Sequence, residues 1–263
     1  VTAEMPHPDP WDAVVRTRDP LRPTAGTLLA ISLTNATRLV GTGQGERSDA
    51  LGLYLGQWNG IGAVVVAQDR AAQNDGSELG PGALRMARRG FALAVELRLP
   101  LITIVDTAGA ELSVAAEQGG LAGEIARCLS ELTTLPVPTV SVLLGMGCGG
   151  GALALLPADR VVAAAHAWVS PLPLEGASVI RYRTPDRAAD MARSQRVAAW
   201  QLAESGIVDV VVPEYPDAAQ EPEEFCRRVS DTVSTALADL IRSDEVTRLS
   251  TRTARYRGGL DVD

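Results

Sequence analysis

Apolar positions in this chain fall into two alternating patterns, short continuous runs and longer stripes of helical period. Ile61 to Gln68 (IGAVVVAQ) is a β-branched run of strand length, which predicts a buried strand. In the segment that follows, Ala83 to Leu97, the residues Leu84, Ala87, Phe91, Ala94 and Val95 share one face. Arg85, Arg88 and Arg89 lie on the other, so the spacing predicts an amphipathic helix. The pair of patterns then repeats. Leu101 to Val105 predicts a strand and Glu117 to Leu132 a helix, with Glu124 and Arg127 spaced to pair. Val140, Val142, Leu143 and Leu144 predict the next strand, Ala152 to Leu156 an apolar helical segment, and DRVVAAA another strand. Strand, turn, helix and next strand predict an α/β chain of parallel strands covered on both faces.

The remaining stretches fit around this repeat. Residues 1–10 hold three prolines and predict an extended lead-in, followed by a helix over about 10–19 that Pro20 and Pro23 end. Thr27 to Leu33 and Thr37 to Val40 are weakly patterned, residues 41–49 are a glycine-rich loop, and Leu51 to Gln57 predicts a strand. Asp69 to Gly82 (DRAAQNDGSELGPG) predicts a loop long enough to be functional. Ala167 to Val169 predicts a short strand, Pro171 to Ser178 a proline-rich turn, and Arg187 to Leu202 a helix. Gly206 to Val212 predicts the last strand, and a C-terminal helix over about 222–242 leads to an arginine-rich tail. No interdomain linker stands out, so a single domain over 1–263 is expected.

The stretch Val137 to Val162 organises the chain. Gly145, Gly147, Gly149, Gly150 and Gly151 fall between its buried strand and the helical segment. Glycine lets a ligand approach the main chain, and the first N–H groups of a helix have no internal partner. A second turn, Ala108-Gly109-Ala110, ends the neighbouring strand. Ligands bind at this end of parallel sheets. Two facing turns would supply N–H groups to one oxygen, an oxyanion hole made of backbone alone.

Composition narrows the chemistry. The formal charge is −8 and the basic residues are scattered, which disfavours nucleic acid. No apolar run reaches membrane-spanning length and the first residues show no signal pattern, so a cytoplasmic protein is expected. There is no lysine, which excludes a Schiff base and the usual P-loop. Cys128, Cys148 and Cys226 are far apart and the only histidines are His7 and His166, so no metal site is expected. Cys128 and Cys226 read as small apolar residues, and Cys148 lies in the glycine turn without an evident base. Gly145 to Gly150 also matches G-x-G-x-x-G, yet Asp159 begins the next strand instead of ending it, against a dinucleotide site. Asp106 reads as a strand-end hydrogen-bonding residue, Glu175 as a turn residue, and His166 as a satisfied histidine. Ser170 lacks a G-x-S-x-G context. Arg85, Arg88 and Arg89 read as a solvated face, with a phosphate contact to CoA as the other reading.

Several segments carry a family resemblance. Asp106-Thr107-Gly109-Ala110, Ile125-Ala126-Arg127-Leu129 and Gly145/Gly147/Gly150-Gly151-Ala152-Leu153-Ala154 occur in order and spacing. With Trp11 to Pro23 and Glu175-Gly176-Ala177, they make the chain resemble the α-subunit (biotin-side) half of bacterial acetyl-CoA carboxylase carboxyltransferase, in the crotonase-like superfamily. The resemblance implies a crotonase-like ββα-spiral fold with parallel sheets and flanking helices. It implies a carboxyltransferase that moves the carboxyl group of carboxybiotin, borne on a separate biotin carboxyl carrier protein, to an acyl-CoA such as acetyl-CoA, giving malonyl-CoA. By motif match, Gly150, Gly151, Gly109 and Ala110 would be catalytic. Gly147, Cys148, Gly149, Ala152, Glu175 and Gly176 would bind the cofactor, with no metal in this chain. The family's CoA site belongs mostly to a β half with a zinc ribbon, which these residues lack, so a β carboxyltransferase partner and a homodimer or hetero-oligomer are expected. Ala108 replaces the family's proline, Glu111 its tyrosine, and residues 69–82 its basic loop. Leu153 stands where hydratase-type relatives carry a glutamate, which argues against hydration. A decarboxylase or hydrolase of the same superfamily, and a degenerate assembly subunit, are the alternatives.

Overall fold

The computed structural model describes residues 8–257, so most of the expected lead-in, with His7, lies outside the described residues. The strands are β1 (Leu33–Leu39), β2 (Leu51–Trp58), β3 (Ile61–Gln68), β4 (Leu101–Thr107), β5 (Thr139–Cys148), β6 (Arg160–Ala164), β7 (Trp168–Ser170) and β8 (Val210–Val212). The helices before the glycine turn are α1 (Pro10–Thr17), α2 (Ala25–Ser32), α3 (Arg70–Asn74), α4 (Pro81–Leu97), α5 (Val114–Gln118) and α6 (Leu121–Thr134). Those after its start are α7 (Gly149–Leu153), α8 (Leu174–Tyr182), α9 (Ala188–Ser194), α10 (Ala199–Glu204), α11 (Pro222–Arg242) and α12 (Glu245–Arg257). Among the described residues, no helix is long and apolar enough to cross a membrane.

One sheet runs in the order β1-β2-β3-β4-β5-β6-β8, with β7 beside the end of β5. Strands β3, β4, β5, β6 and β8 are parallel, as the alternating pattern predicts, while β1, β2 and β3 pair antiparallel. The parallel expectation covers the repeat from Ile61 onward, and the antiparallel edge precedes it. The reason is local: only Asn59 and Gly60, both at positive φ, join β2 to β3, and two residues make a hairpin and leave no room for a crossover. Strands β4 and β5 are buried almost throughout; α4 lays its apolar stripe over β2 and β3, and α6 packs against α4 and α7.

Other expectations change with the packing. Strand β5 does not stop at Leu144 but runs to Cys148, switching its partner from β6 to β7 on the way. The helical segment expected from Ala152 begins at Gly149 instead. The helix expected over 117–132 divides at Gly119-Gly120, where Gly120 takes φ +85°. The helix expected over 187–202 divides around Arg196, at φ +53°. The proline-rich turn is shorter than expected, because Pro173 caps α8 and places Glu175 and Gly176 in its first turn. The arginine-rich tail is the helix α12, docked through the buried Arg252.

A buried polar cluster pins the leading segment to this frame. Arg22 donates to both carboxylate oxygens of Glu214 at 2.7 and 2.8 Å and to the Leu144 carbonyl at 3.1 Å. His166 Nδ1 lies 2.8 Å from the same carboxylate, so His166 is the satisfied histidine its sequence suggested. Burial pushes the Glu214 carboxyl up, but the hydrogen bonds from Arg22 and His166 outweigh it and hold the group well below the usual carboxylate range. His166, Glu214 and Asp217 lie close enough to hold a cation, but Arg22 already fills that role at 2.7 Å from Glu214 and 3.6 Å from Asp217. A group with a depressed folded pKa stabilises above its unfolded pKa and loses that contribution as pH falls. We therefore expect the thermal midpoint to fall between about pH 5 and pH 3, and Glu214→Gln to be less stable at neutral pH with a flatter pH profile over that window. An unchanged slope in thermal scans of the variant would sink this assignment.

Candidate active site

The site is built where β4 and β5 end. Between Val105 and Thr107 the β4–β5 register slips, so that β5 carries extra residues opposite Asp106. The Asp106 carboxylate fills that bulge: Oδ1 accepts from the Met146 N–H at 3.0 Å and Oδ2 from Arg70 Nε at 3.0 Å. A side chain at Gly145 would put its Cβ 2.7 Å from Asp106 Oδ1, so glycine there admits the carboxylate. Asp106 is fully buried and holds the strand end, as its sequence position suggested.

The first turn is held by side chains. Gly109, at φ +135°, takes a backbone region open to glycine. Its N–H donates to Thr107 Oγ1 at 3.1 Å, and the Glu111 N–H donates to the Leu79 carbonyl at 3.1 Å. The Ala110 N–H stands between these two and makes no hydrogen bond among the described residues. Of this turn's expected donors, Ala110 is the one left free and Gly109 shapes the turn.

The second turn begins at Cys148 and enters α7. Gly149 has φ +65°, and the first N–H groups of this short helix, including those of Gly150 and Gly151, lack partners inside it. The two turns touch: a Cβ built on Gly151 would lie 3.2 Å from the Ala110 nitrogen, and one on Gly109 3.8 Å from Cys148 Sγ. Gln68, buried at the end of β3, locks them together. Its Nε2 donates to the Gly151 carbonyl at 2.7 Å and its Oε1 accepts from the Asp106 N–H at 3.2 Å. Nothing in the sequence reading singled out Gln68; a polar residue closing the apolar run Ile61 to Ala67 was the available signal.

The other expected site residues surround these turns. Gly147 lies within β5, where a Cβ would meet the Trp168 carbonyl at 2.6 Å, so its glycine satisfies packing against β7. Ala152 is buried inside α7. Glu175 is 2.7 Å from Arg18, with Gly176 next to it in α8. Cys148 lines a cavity of about 330 Å³ with Arg18, Arg70, Trp168 and Glu175. Burial, with the Glu175 charge, pushes its thiol up to about 11, which makes it a poor nucleophile at neutral pH. The face of α4 expected to be solvated is instead ion-paired. Arg85 and Arg88 reach Glu124 at 3.2 and 3.0 Å, and the expected Glu124–Arg127 pair is present at 2.9 Å. These residues line a groove of about 890 Å³, in which the charges already answer one another.

Comparison with known proteins gives this geometry a class. The fold is that of crotonase-like carboxyltransferases. Transcarboxylase 12S superposes with a TM-score of 0.70 at 20% identity, over 87% of this chain and 44% of that one. A chain of a Pseudomonas malonate decarboxylase hetero-tetramer gives 0.64 at 18% identity, over 90% of this chain and 96% of that one. The family model for acetyl co-enzyme A carboxylase carboxyltransferase-like proteins matches residues 5–259. The chain belongs to that family. A probable biotin-dependent acyl-coenzyme A carboxylase beta3 subunit of Mycobacterium tuberculosis is 52% identical over 255 residues, 97% of this chain and 51% of that protein. The acetyl-coenzyme A carboxylase carboxyl transferase subunit alpha of Rhodospirillum centenum is 35% identical over 254 residues, 94% of this chain and 80% of that protein. The chain thus spans about half the length of the mycobacterial relatives it matches.

Proposed function

We propose that this chain is the biotin-side carboxyltransferase half of a biotin-dependent acyl-CoA carboxylase, with acetyl-CoA giving malonyl-CoA as the simplest case. The observation that carries the reading is the contact between the two turns, which sets Gly151, with Gly150 before it, against Ala110 at the C-terminal ends of β4 and β5. Glycine at position 151 lets the two turns close on one another, since a Cβ there would stand 3.2 Å from the Ala110 nitrogen. Carboxybiotin on its carrier protein supplies the carboxyl group when bound. Gly150 and Gly151 donate to the ureido oxygen, Ala110 forms the facing wall, and Gln68 keeps the two donors' turns in register. Helix α7 has five residues, so individual N–H groups carry the charge stabilisation and not a long macrodipole. Removing one such donor typically costs about 2.7–4 kcal/mol of barrier. The acyl-CoA and its enolate oxygen would be held by a β half, on a partner subunit or elsewhere in a longer polypeptide.

The test is reverse carboxyl transfer from malonyl-CoA to free biocytin, by this chain alone and with a candidate β half. We expect transfer only from the combination. Transfer by the lone chain would put the CoA site here and overturn the division of labour. CO2 release from malonyl-CoA without biocytin would favour the decarboxylase alternative.

A further inference from the structure

The turn at 108–110 separates two cavities of opposite character. Ala108 and Asn74 line both. On one side, about 280 Å³ opens beside Gly109 and Ala110 and carries Glu78 and Glu111. On the other, the cavity of about 330 Å³ carries Arg18 and Arg70 among Met146, Cys148 and Trp168, with Glu175 at its edge. The Arg70 side chain is only 5% exposed. Its Nε is held by Asp106 at 3.0 Å and its Nη2 by the Arg22 carbonyl at 3.2 Å. Among the described residues nothing accepts from its Nη1. Arg18 stacks over Trp11 at 5.3 Å and pairs with Glu175 at 2.7 Å, both partners about two-fifths exposed. An exposed pair of this kind holds weakly and can exchange.

We infer that the arginine-lined cavity binds the carboxylate of the group in transfer. Arg70 Nη1 donates to one oxygen, and Arg18, exchanged from Glu175, to the other. The inference rests on the carboxyl-transfer reading. A planar two-oxygen anion suits guanidinium donors, and the surrounding thioether and indole strengthen the attraction by excluding water. The acidic cavity across the turn repels the same anion, which fixes the side it takes. The carboxylate is that of a malonyl-type thioester or that of the carbamate on the carrier; the chemistry recognised is shared.

The experiment uses the chain assembled with its β half. Arg70→Lys keeps a charge beside Asp106 and gives up Nη1. Asn74→Asp adds a negative charge at an exposed position of the cavity wall and disturbs nothing buried. With either variant we expect the KM for malonyl-CoA in reverse transfer to rise roughly tenfold, the scale of one charge-assisted hydrogen bond. The inhibition constant of acetyl-CoA, which lacks the carboxylate, should stay within about twofold on the same ground. A rise confined to the KM for the carboxylated carrier in the forward direction would assign the site to the carbamate and support it equally. Equal weakening of malonyl-CoA and acetyl-CoA, or no change in any of the three constants, overturns the inference while leaving the carboxyl-transfer reading in place. A wild-type assembly that transfers no carboxyl group overturns both.

Discussion

Gly150→Pro should lower the turnover of carboxyl transfer by about 10²–10³-fold, the usual cost of one missing oxyanion donor. Proline removes a single N–H and is tolerated in the first turn of a helix, where that N–H has no internal partner. Gly150→Ala is the control, because it keeps the N–H. Its Cβ would meet Ile125 Cδ1 at 2.8 Å, the end of a side chain that can rotate away. The alanine variant should therefore keep most of its turnover, within roughly tenfold of wild type if repacking costs about 1 kcal/mol. Equal activity of the proline variant and wild type, with both folded by circular dichroism, would refute the donor role. Equal loss in the two variants would mean that space at position 150 matters and the N–H does not.

The parts of this site that could be read from the sequence are those written in local pattern. Strands β3 and β4, helix α4 and the order of the two turns follow from apolar runs, helical stripes and glycines. What stayed hidden depends on tertiary neighbours. Gly145 and Gly147 look like the start of a turn, yet they extend β5, because one makes room for Asp106 and the other for the Trp168 carbonyl. Helix α2 is apolar with little polar contrast, so no stripe marks it, and the neighbouring β1 exposes most of its residues and, among the described residues, pairs only with β2. Gln68 and Arg70 act across the sheet, at sequence separations of 83 and 36 residues from Gly151 and Asp106. Spacing rules carry no signal at such range.

The arginine-rich tail is the sharpest case, and it yields the largest stability prediction. Asp159 is 4% exposed and Arg252 is fully buried. Their carboxylate and guanidinium meet in two hydrogen bonds of 2.9 and 2.7 Å. Arg252 also donates to the carbonyls of Leu132, Leu135 and Val137, around the C-terminal end of α6, where a cation is favoured. Arg248 adds a contact to Asp159 at 3.3 Å, and the Thr139 N–H and hydroxyl supply two more at 2.9 and 3.1 Å. Asp159→Ala leaves a buried guanidinium without its counter-charge, so we expect a loss of about 3–5 kcal/mol in urea unfolding. The double variant Asp159→Leu with Arg252→Met removes the closest pair, leaves Arg248 on the Pro136 carbonyl at 2.9 Å, and should recover part of that loss, because the buried unpaired charge is the costly element. A single variant within about 1 kcal/mol of wild type would show that the pair behaves like a surface bridge and that α12 is held by something else. A double variant as unstable as the single would instead assign the cost to the lost Thr139 contacts and the carbonyls at the end of α6.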